Sequence, residues 1–394
     1  MTNSLQERNK SIIEEVIKKI ERTCPNAVDM VAISGSFVSG DYNEKSDLDL
    51  LIVSNNEESD KIRTAFIMDD IGYDIYTNTW DDIKNISKYE NPYVAKLKQL
   101  DIVYTRNNDA MEKYKELQAD LNDNMNNEEL IKENISKNFS KILGNYNDIL
   151  NCENISEAYK ILGNFMFNLE NVIYLLNGKY VEHGIKNIPV EIVKMKNIPR
   201  DVVSTYLKLP ECKTIYEIID KMFEIEKSLE TFLKDKNIKV DYDEEEKEIK
   251  EKQELKSENL TGSFEELYSN YYNKLKTAID EKNRYLSFRT MVDAQRFYDE
   301  YSEKFDIDPI DIIGKYNPND LNENHKTFVS SLQVWKDIYD SFYKNVNIIN
   351  NTKDIYDNKR LFVAYQSQDE NEFFDKLNQE DNNEIHVRGI NKVL

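Results

Sequence analysis

Asp47-Leu48-Asp49 places two carboxylates at positions i and i+2 at the head of an apolar run that ends at Val53. In an extended strand such positions share a face, so both acids point the same way. Leu48, Leu50 and Ile52 take the opposite face, where an apolar layer can cover them. Two unpaired anions side by side raise each other's pKa, and they are comfortable only with a cation between or above them. Oxygen ligands of this kind suit magnesium, which takes one or two carboxylates and completes its shell with water and substrate phosphates. The stretch reads as a site for two metal ions and a triphosphate.

Upstream, Val28 to Ser34 is mostly apolar and β-branched and runs straight into Gly35-Ser36, the pattern of a strand ending in a tight turn. Glycine permits close backbone approach, and the amides that follow, opening a short helix, can receive phosphate oxygens. Ser36 adds a hydroxyl donor to that turn. A third carboxylate comes from Asp74 in the strand-like segment Gly72 to Thr77, which a neighbouring strand can set beside Asp47 and Asp49. Lys45 lies in the loop before the acid pair, where it either contacts phosphate or stands as a solvated loop lysine.

Gly35-Ser36, Asp47-x-Asp49 and Asp74 together resemble the signature of the polymerase-β-like nucleotidyltransferase superfamily. The layout is most similar to the stand-alone bacterial aminoglycoside and lincosamide nucleotidyltransferases, with a catalytic domain first and helices after it. The motifs that carry this resemblance span residues 28 to 80; beyond them the similarity is one of architecture.

The resemblance implies two Mg2+ ions at Asp47 and Asp49, with Asp74 completing one metal site or accepting a proton. It also implies a nucleoside triphosphate such as ATP, gripped at Gly35 and Ser36, and a hydroxyl acceptor that attacks the α-phosphate as pyrophosphate leaves. A helical domain in this placement covers the cleft and supplies acceptor contacts, sometimes a base, and a cleft shared between subunits makes a homodimer plausible. The same carboxylates serve enzymes that modify proteins or make signal nucleotides, and a nucleotide-binding protein without turnover is a further alternative. The intact acid trio argues against the last.

The elements that must position these groups follow from periodicity. Ser4 to Arg22 carries Leu5, Ile12, Ile13, Val16, Ile17 and Ile20 at close to helical spacing, an opening helix that packs on the sheet. After the acid strand, the pattern gives a helix over Ser59 to Ile67, the Asp74 strand, a helix over Thr79 to Ser87, and another over Asn91 to Gln99 with Pro92 in its first turn. Asp101 to Thr105 closes the sheet. The expected fold class is α+β: a small mixed-sheet domain over residues 1–120, then helical bundle regions.

Those regions divide into a bundle over 121–240 that covers the cleft, a charged linker or exposed helix over 241–260, and a second helical region over 261–394. Glu128 to Leu150 and Ser156 to Leu176 are long amphipathic or apolar helices, the second ending at Asn177-Gly178. Glu170 sits among apolar neighbours, either as a base whose pKa burial raises or as an exposed acid on the bundle's outer face. Glu182 and His183 follow the helix stop and either rim the cleft or belong to an ordinary turn.

Ser263-Phe-Glu-Glu266 matches a capping box, and the aromatic-rich run from Tyr268 to Tyr298 reads as core. Asp306 to Asp311 reads as a helix start. Leu332 to Tyr343 continues the helical pattern, Asn347 to Asn351 interrupts it, and the tail after Gln379 is polar.

Composition bounds the partners. A net charge of −22 opposes polyanion binding, so nucleic acid is an unlikely partner, and an acidic cleft favours a small cationic acceptor. There is no apolar signal-peptide core near Met1 and no membrane-length apolar run, which points to a cytoplasmic location and no membrane partner. Cys24, Cys152 and Cys212 match neither a disulfide framework nor a zinc pattern.

Overall fold

The computed structural model describes residues 2–43, 45–240, 260–342 and 346–356. The charged run Asp241 to Glu258, Tyr343 and the tail after Gln379 lie outside the described residues. The elements in chain order are α1 (Thr2–Thr23), β1 (Val28–Ile33), α2 (Ser36–Ser39), β2 (Leu50–Ser54), β3 (Thr64–Met68), β4 (Ile71–Ile75), β5 (Thr77–Thr79), α3 (Trp80–Ser87), α4 (Ala95–Lys98) and β6 (Asp101–Thr105). Helices follow: α5 (Asn108–Asn124), α6 (Glu128–Leu150), α7 (Ile155–Leu176), α8 (Ile188–Lys194), α9 (Arg200–Tyr206), α10 (Ile215–Asp235), α11 (Ser263–Leu267), a π-helical turn (Tyr268–Tyr272), α12 (Asn273–Asp280), α13 (Arg284–Phe305) and α14 (Leu321–Phe342). The fold is α+β, a small mixed sheet followed by helices.

The main sheet has the order β5-β2-β1-β6, antiparallel except for the parallel pair β2 and β5. Alternation along β2 sorts its two faces as the pattern requires. Leu48, Leu50 and Ile52 pack with Ile12, Val16 and Ile20 of α1, which recur every fourth residue and are fully buried. Each such burial contributes about 1.5–3 kcal/mol. Leu51 and Val53 join the other core, continuous with the helices from α5 to α14. The acid pair shares its face with Leu51 and Val53, so it looks toward the helical part.

β3 and β4 form a separate hairpin. This corrects the helix expected over Ser59 to Ile67: a 3-10 turn covers Glu57–Ile62, and Thr64 begins a strand. The stretch from Thr64 to Met68 is too short for its β-rich composition to stand out against helical spacing. The outer edge of β3 is covered by residues beyond α14: Ile67 donates to Asn347 O at 2.8 Å, and Ile349 donates back to Ile67 O at 2.9 Å.

Three smaller expectations are also revised. α4 spans only Ala95–Lys98, with Pro92 ahead of it. Gly262, not Ser263, precedes α11, and the Ser263 hydroxyl instead accepts from Trp335 Nε1 at 3.0 Å, so there is no capping box. Asp306 ends α13 in the left-handed region, φ 53°, rather than opening a helix. The aromatic run is core: Tyr268, Tyr272, Phe288, Phe297 and Tyr298 are all buried.

Candidate active site

β1 ends at Ile33, and the ladder to β2 continues one step further, with Ser34 N donating to Asp49 O at 2.9 Å. Gly35 then turns the chain at φ 67°, ψ −146°, a conformation nearly confined to glycine. Its missing side chain is required for space as well: a Cβ built there would stand 1.9 Å from Asp49 Oδ2. Ser36 opens α2, and no side chain caps that end of the helix.

Asp47 and Asp49 lie in the extended segment before β2, which begins at Leu50. Asp74 lies in β4, which leads at once into β5 of the main sheet. Ile52 pairs with Thr77 in parallel register, and three residues earlier in the chain than each stand Asp49, ahead of β2, and Asp74, in β4 of the hairpin. β4 and β5 meet at Tyr76, where the chain passes from the hairpin to the main sheet.

The three carboxylates feel one another. Burial, then the charge of Asp49, pushes Asp47 up to about 7, with Asp74 adding and Lys274 opposing. Asp74 is pushed up to about 6, by burial first and by Asp49, against the pull of Arg63 and Lys96. Asp49 is raised by burial, opposed by Lys274 and Lys96. Asp49 nevertheless remains exposed to water, and Asp47 and Asp74 are half-buried. Water reaches these groups, and the desolvation that raises them comes from the protein packed around them.

Among the described residues, no three His, Cys, Asp or Glu side chains are grouped tightly enough to hold a metal ion unaided. The donor set still fits magnesium. Asp49 raised by burial, and Asp47 raised by burial and then by the charge of Asp49, gain from a divalent cation, and magnesium takes its remaining oxygens from water and phosphates rather than from a closed protein cage.

The other residues singled out in the sequence separate. Lys45 is exposed, its amide donating to Asn43 Oδ1 at 2.8 Å. His183 and Glu182 reach the region indirectly. His183 Nδ1 stands 2.8 Å from Asp41 Oδ2, which ties the loop after α2 to the loop after α7, and Glu182 accepts from Gln99.

Glu170 is neither a free base nor an exposed acid. It is fully buried and pairs with Arg289 of α13 at 2.8 Å, and it also accepts hydrogen bonds from Tyr206, Tyr285 and Tyr93 at 2.9, 2.9 and 3.3 Å. This corrects both expectations for Glu170. The partner that satisfies it lies more than a hundred residues away in the chain, beyond the reach of local pattern.

Four further charged residues act on or with the acids: Lys274, Lys96 and Arg63, which carried no motif, and Glu266, whose sequence pattern suggested only a helix cap. Glu266 on α11 is pushed up to about 8, by burial first and then by the charge of Asp74. Lys96 lies over the Tyr76 ring, 4.8 Å from its centroid, and donates to the Tyr76 hydroxyl. Lys274 and Glu266 come from the second helical region, seated on the hairpin where Gly72 meets the π-helical turn. A Cβ on Gly72 would fall 2.5 Å from Ser269 Cα. A π-helical turn beside a site is a recurrent arrangement.

Residues 12–168 match the family model described as a nucleotidyltransferase domain. The matched span contains every strand of the sheet, the Gly35-Ser36 turn and all three acids, and it supports the polymerase-β-like superfamily with nucleotidyl transfer as the general chemistry. It ends within α7, so Lys274 and Glu266 fall outside it. No curated protein matches the sequence. No helix among the described residues is long and apolar enough to cross a membrane.

Proposed function

We propose that the protein transfers a nucleoside monophosphate, AMP from ATP as the leading choice, to a hydroxyl of a small cationic acceptor, with release of pyrophosphate. The observation that carries this reading is Asp49 packed against the Gly35 turn, with Asp47 two residues before it, inside the span that matches a nucleotidyltransferase domain. Asp47 and Asp49, with Asp74 beside them, would hold Mg2+, which when bound neutralises the phosphate charge and polarises the α-phosphate.

The rest falls to the chain's own groups. The Gly35-Ser36 turn leaves room for phosphate oxygens beside Asp49, and the Ser36 hydroxyl can donate to them. The acceptor oxygen forms its bond to the α-phosphorus as the bond to the β-phosphate bridging oxygen breaks, and the hydroxyl proton must leave. Asp74, raised to about 6, is suited to take that proton near neutral pH. Glu266, pushed up to about 8 by burial and by Asp74, is held largely protonated near neutral pH and adds a hydrogen-bond donor beyond Asp74.

The test is incubation of the full chain with Mg2+ and each of four α-labelled triphosphates, against pooled aminoglycoside, lincosamide, nucleoside and protein acceptors. Pyrophosphate release with label on a small cationic product supports the reading. Label on a macromolecule or in an oligonucleotide product replaces it with another transferase, and nucleotide binding without release replaces it with a binding protein.

A further inference from the structure

The turn that carries Ser36 is a small element. α2 has four residues and no side-chain cap, and Gly40 N and Asp41 N both fold back onto Ser36 O, at 3.0 and 3.1 Å. Ser39 adds a local bond, its hydroxyl donating to Asp41 Oδ2 at 2.9 Å. A further tie comes from far along the chain. His183 Nδ1 stands 2.8 Å from the same Asp41 oxygen, 142 residues away and past the matched span, which ends at residue 168. A carboxylate only accepts, so Nδ1 carries the proton and donates.

His183 ends a strap. Lys179 O accepts from the Tyr89 hydroxyl at 2.6 Å, Val181 N donates to Pro92 O at 3.0 Å, and Gln99 Nε2 donates to the Tyr180 hydroxyl at 3.1 Å and to Glu182 at 3.3 Å. Residues 179–183 therefore run along the segment on either side of α4 and finish on the loop after α2. The strap is rooted in the helices. His183 N donates to Glu191 Oε1 at 3.3 Å, the other oxygen of Glu191 accepts from Tyr174 of α7 at 2.6 Å, and Asn187 Nδ2 donates to His183 O at 2.8 Å. The imidazole is thus delivered to Asp41 by a backbone fixed on both sides.

With the two side chains 41% and 31% exposed, this contact adds little to the stability of the whole fold. Its effect is local. A short turn left to itself samples several arrangements, and a ligand that needs one of them bears the ordering cost on binding; a tie made beforehand lifts that cost. A hold on Asp41 passes to Ser36 through the two amides that fold onto its carbonyl. We propose that His183 is a positioning residue: through Asp41 it keeps the Gly35-Ser36 turn in the form that receives the triphosphate; this rests on the nucleotidyl-transfer reading above. Phosphate binding by the N-terminal domain then depends on a strap from outside it.

Loss of the tie has a signature that damage to the acids lacks. His183→Ala should weaken a non-hydrolysable α,β-methylene ATP in saturating Mg2+ by about 10-fold, by calorimetry. Mn2+ binding without nucleotide should stay within about 2-fold of the parent protein. Amides over residues 35–42 should exchange with deuterium about 3-fold faster or more. His183→Asn should restore nucleotide binding and slow exchange, because Asn Nδ2 stands as many bonds from the backbone as His Nδ1 and also donates. Asp41→Ala removes the tie from its other side and should show the same two effects, and the double variant should bind no more weakly than Asp41→Ala alone. Lys160→Ala breaks a similarly exposed ion pair, Lys160 to Asp299 at 3.0 Å between α7 and α13, and should match the parent in every measurement.

Weaker nucleotide binding and faster exchange in His183→Ala, both restored by His183→Asn, support the role. Unchanged nucleotide binding, a loss that His183→Asn does not restore, an equal loss of Mn2+ affinity, or a further loss in the double variant overturns it, with circular dichroism confirming that each variant is folded. None of these measurements needs turnover or an acceptor. A parent protein that binds no triphosphate removes the functional reading itself, whereas a parent that binds it beside an unaffected His183→Ala overturns this inference alone.

Discussion

Asp49 Oδ2 fills the space that a side chain on residue 35 would need, lying 1.9 Å from the Cβ position there. The turn and the acid are therefore one unit. Gly35→Ala would also have to adopt φ 67°, so it should cost about 1–3 kcal/mol in stability. Because the overlap falls on the carboxylate, nucleotide-dependent pyrophosphate release should drop further than the melting temperature suggests, by about 100-fold. A thermal melt and a release assay on the same preparation check both parts.

Asp49→Asn removes charge from a repelling trio and touches no core. Pyrophosphate release should fall about 100-fold or more, with an unchanged far-ultraviolet spectrum. The metal-free variant at pH 8 should be no less stable than the parent and up to about 1 kcal/mol more so, the modest figure reflecting solvent screening of a reachable group. Full activity in this variant would end the assignment of the acid pair.

Protonation gives a pH dependence with opposite signs for stability and for metal binding. Asp47 at about 7 and Asp74 at about 6 hold more protons in the folded chain than in the unfolded one across roughly pH 4 to 7. Their contribution to metal-free stability is therefore present at low pH and lost as pH rises through 6 and 7. Metal must displace those protons, so Mn2+ affinity should rise over the same interval. Calorimetry in buffers of different ionisation enthalpy should detect proton release near pH 6.5 and little at pH 8.5.

Glu170→Gln leaves the Arg289 guanidinium buried without its counter-charge. The cost should be about 3–5 kcal/mol, read from urea unfolding. Replacing both, Glu170→Met with Arg289→Leu, should recover only part of it, because the hydroxyls of Tyr206, Tyr285 and Tyr93 lose their acceptor. Below the melting temperature the double variant should still release pyrophosphate, an outcome that separates a structural ion pair from a base.

How much of this was legible in the chain depended on distance along it. The Gly35-Ser36 turn, the Asp47 and Asp49 pair and the burial of Leu48, Leu50 and Ile52 follow from spacing within about twenty residues, where a period of two leaves one arrangement. The α1 stripe and the long helices α6 and α7 were legible for the same reason. β3 was missed because five residues do not establish a period, and the Ser263 cap because Trp335 claims the hydroxyl. Lys274 and Glu266 could not be found at all. Their relation to the acids is made by a glycine seated on a π-helical turn nearly two hundred residues away.

The β3 edge bears one more consequence. Its unpaired amides and carbonyls are occupied by the main chain at Asn347 and Ile349, and Tyr356 fastens the same segment to Ile62 O at 3.0 Å. A chain cut after Phe342 would bare a strand ready to pair with its neighbour in another molecule, so that what protects the hairpin from self-association is a ribbon borrowed from the far end of the fold.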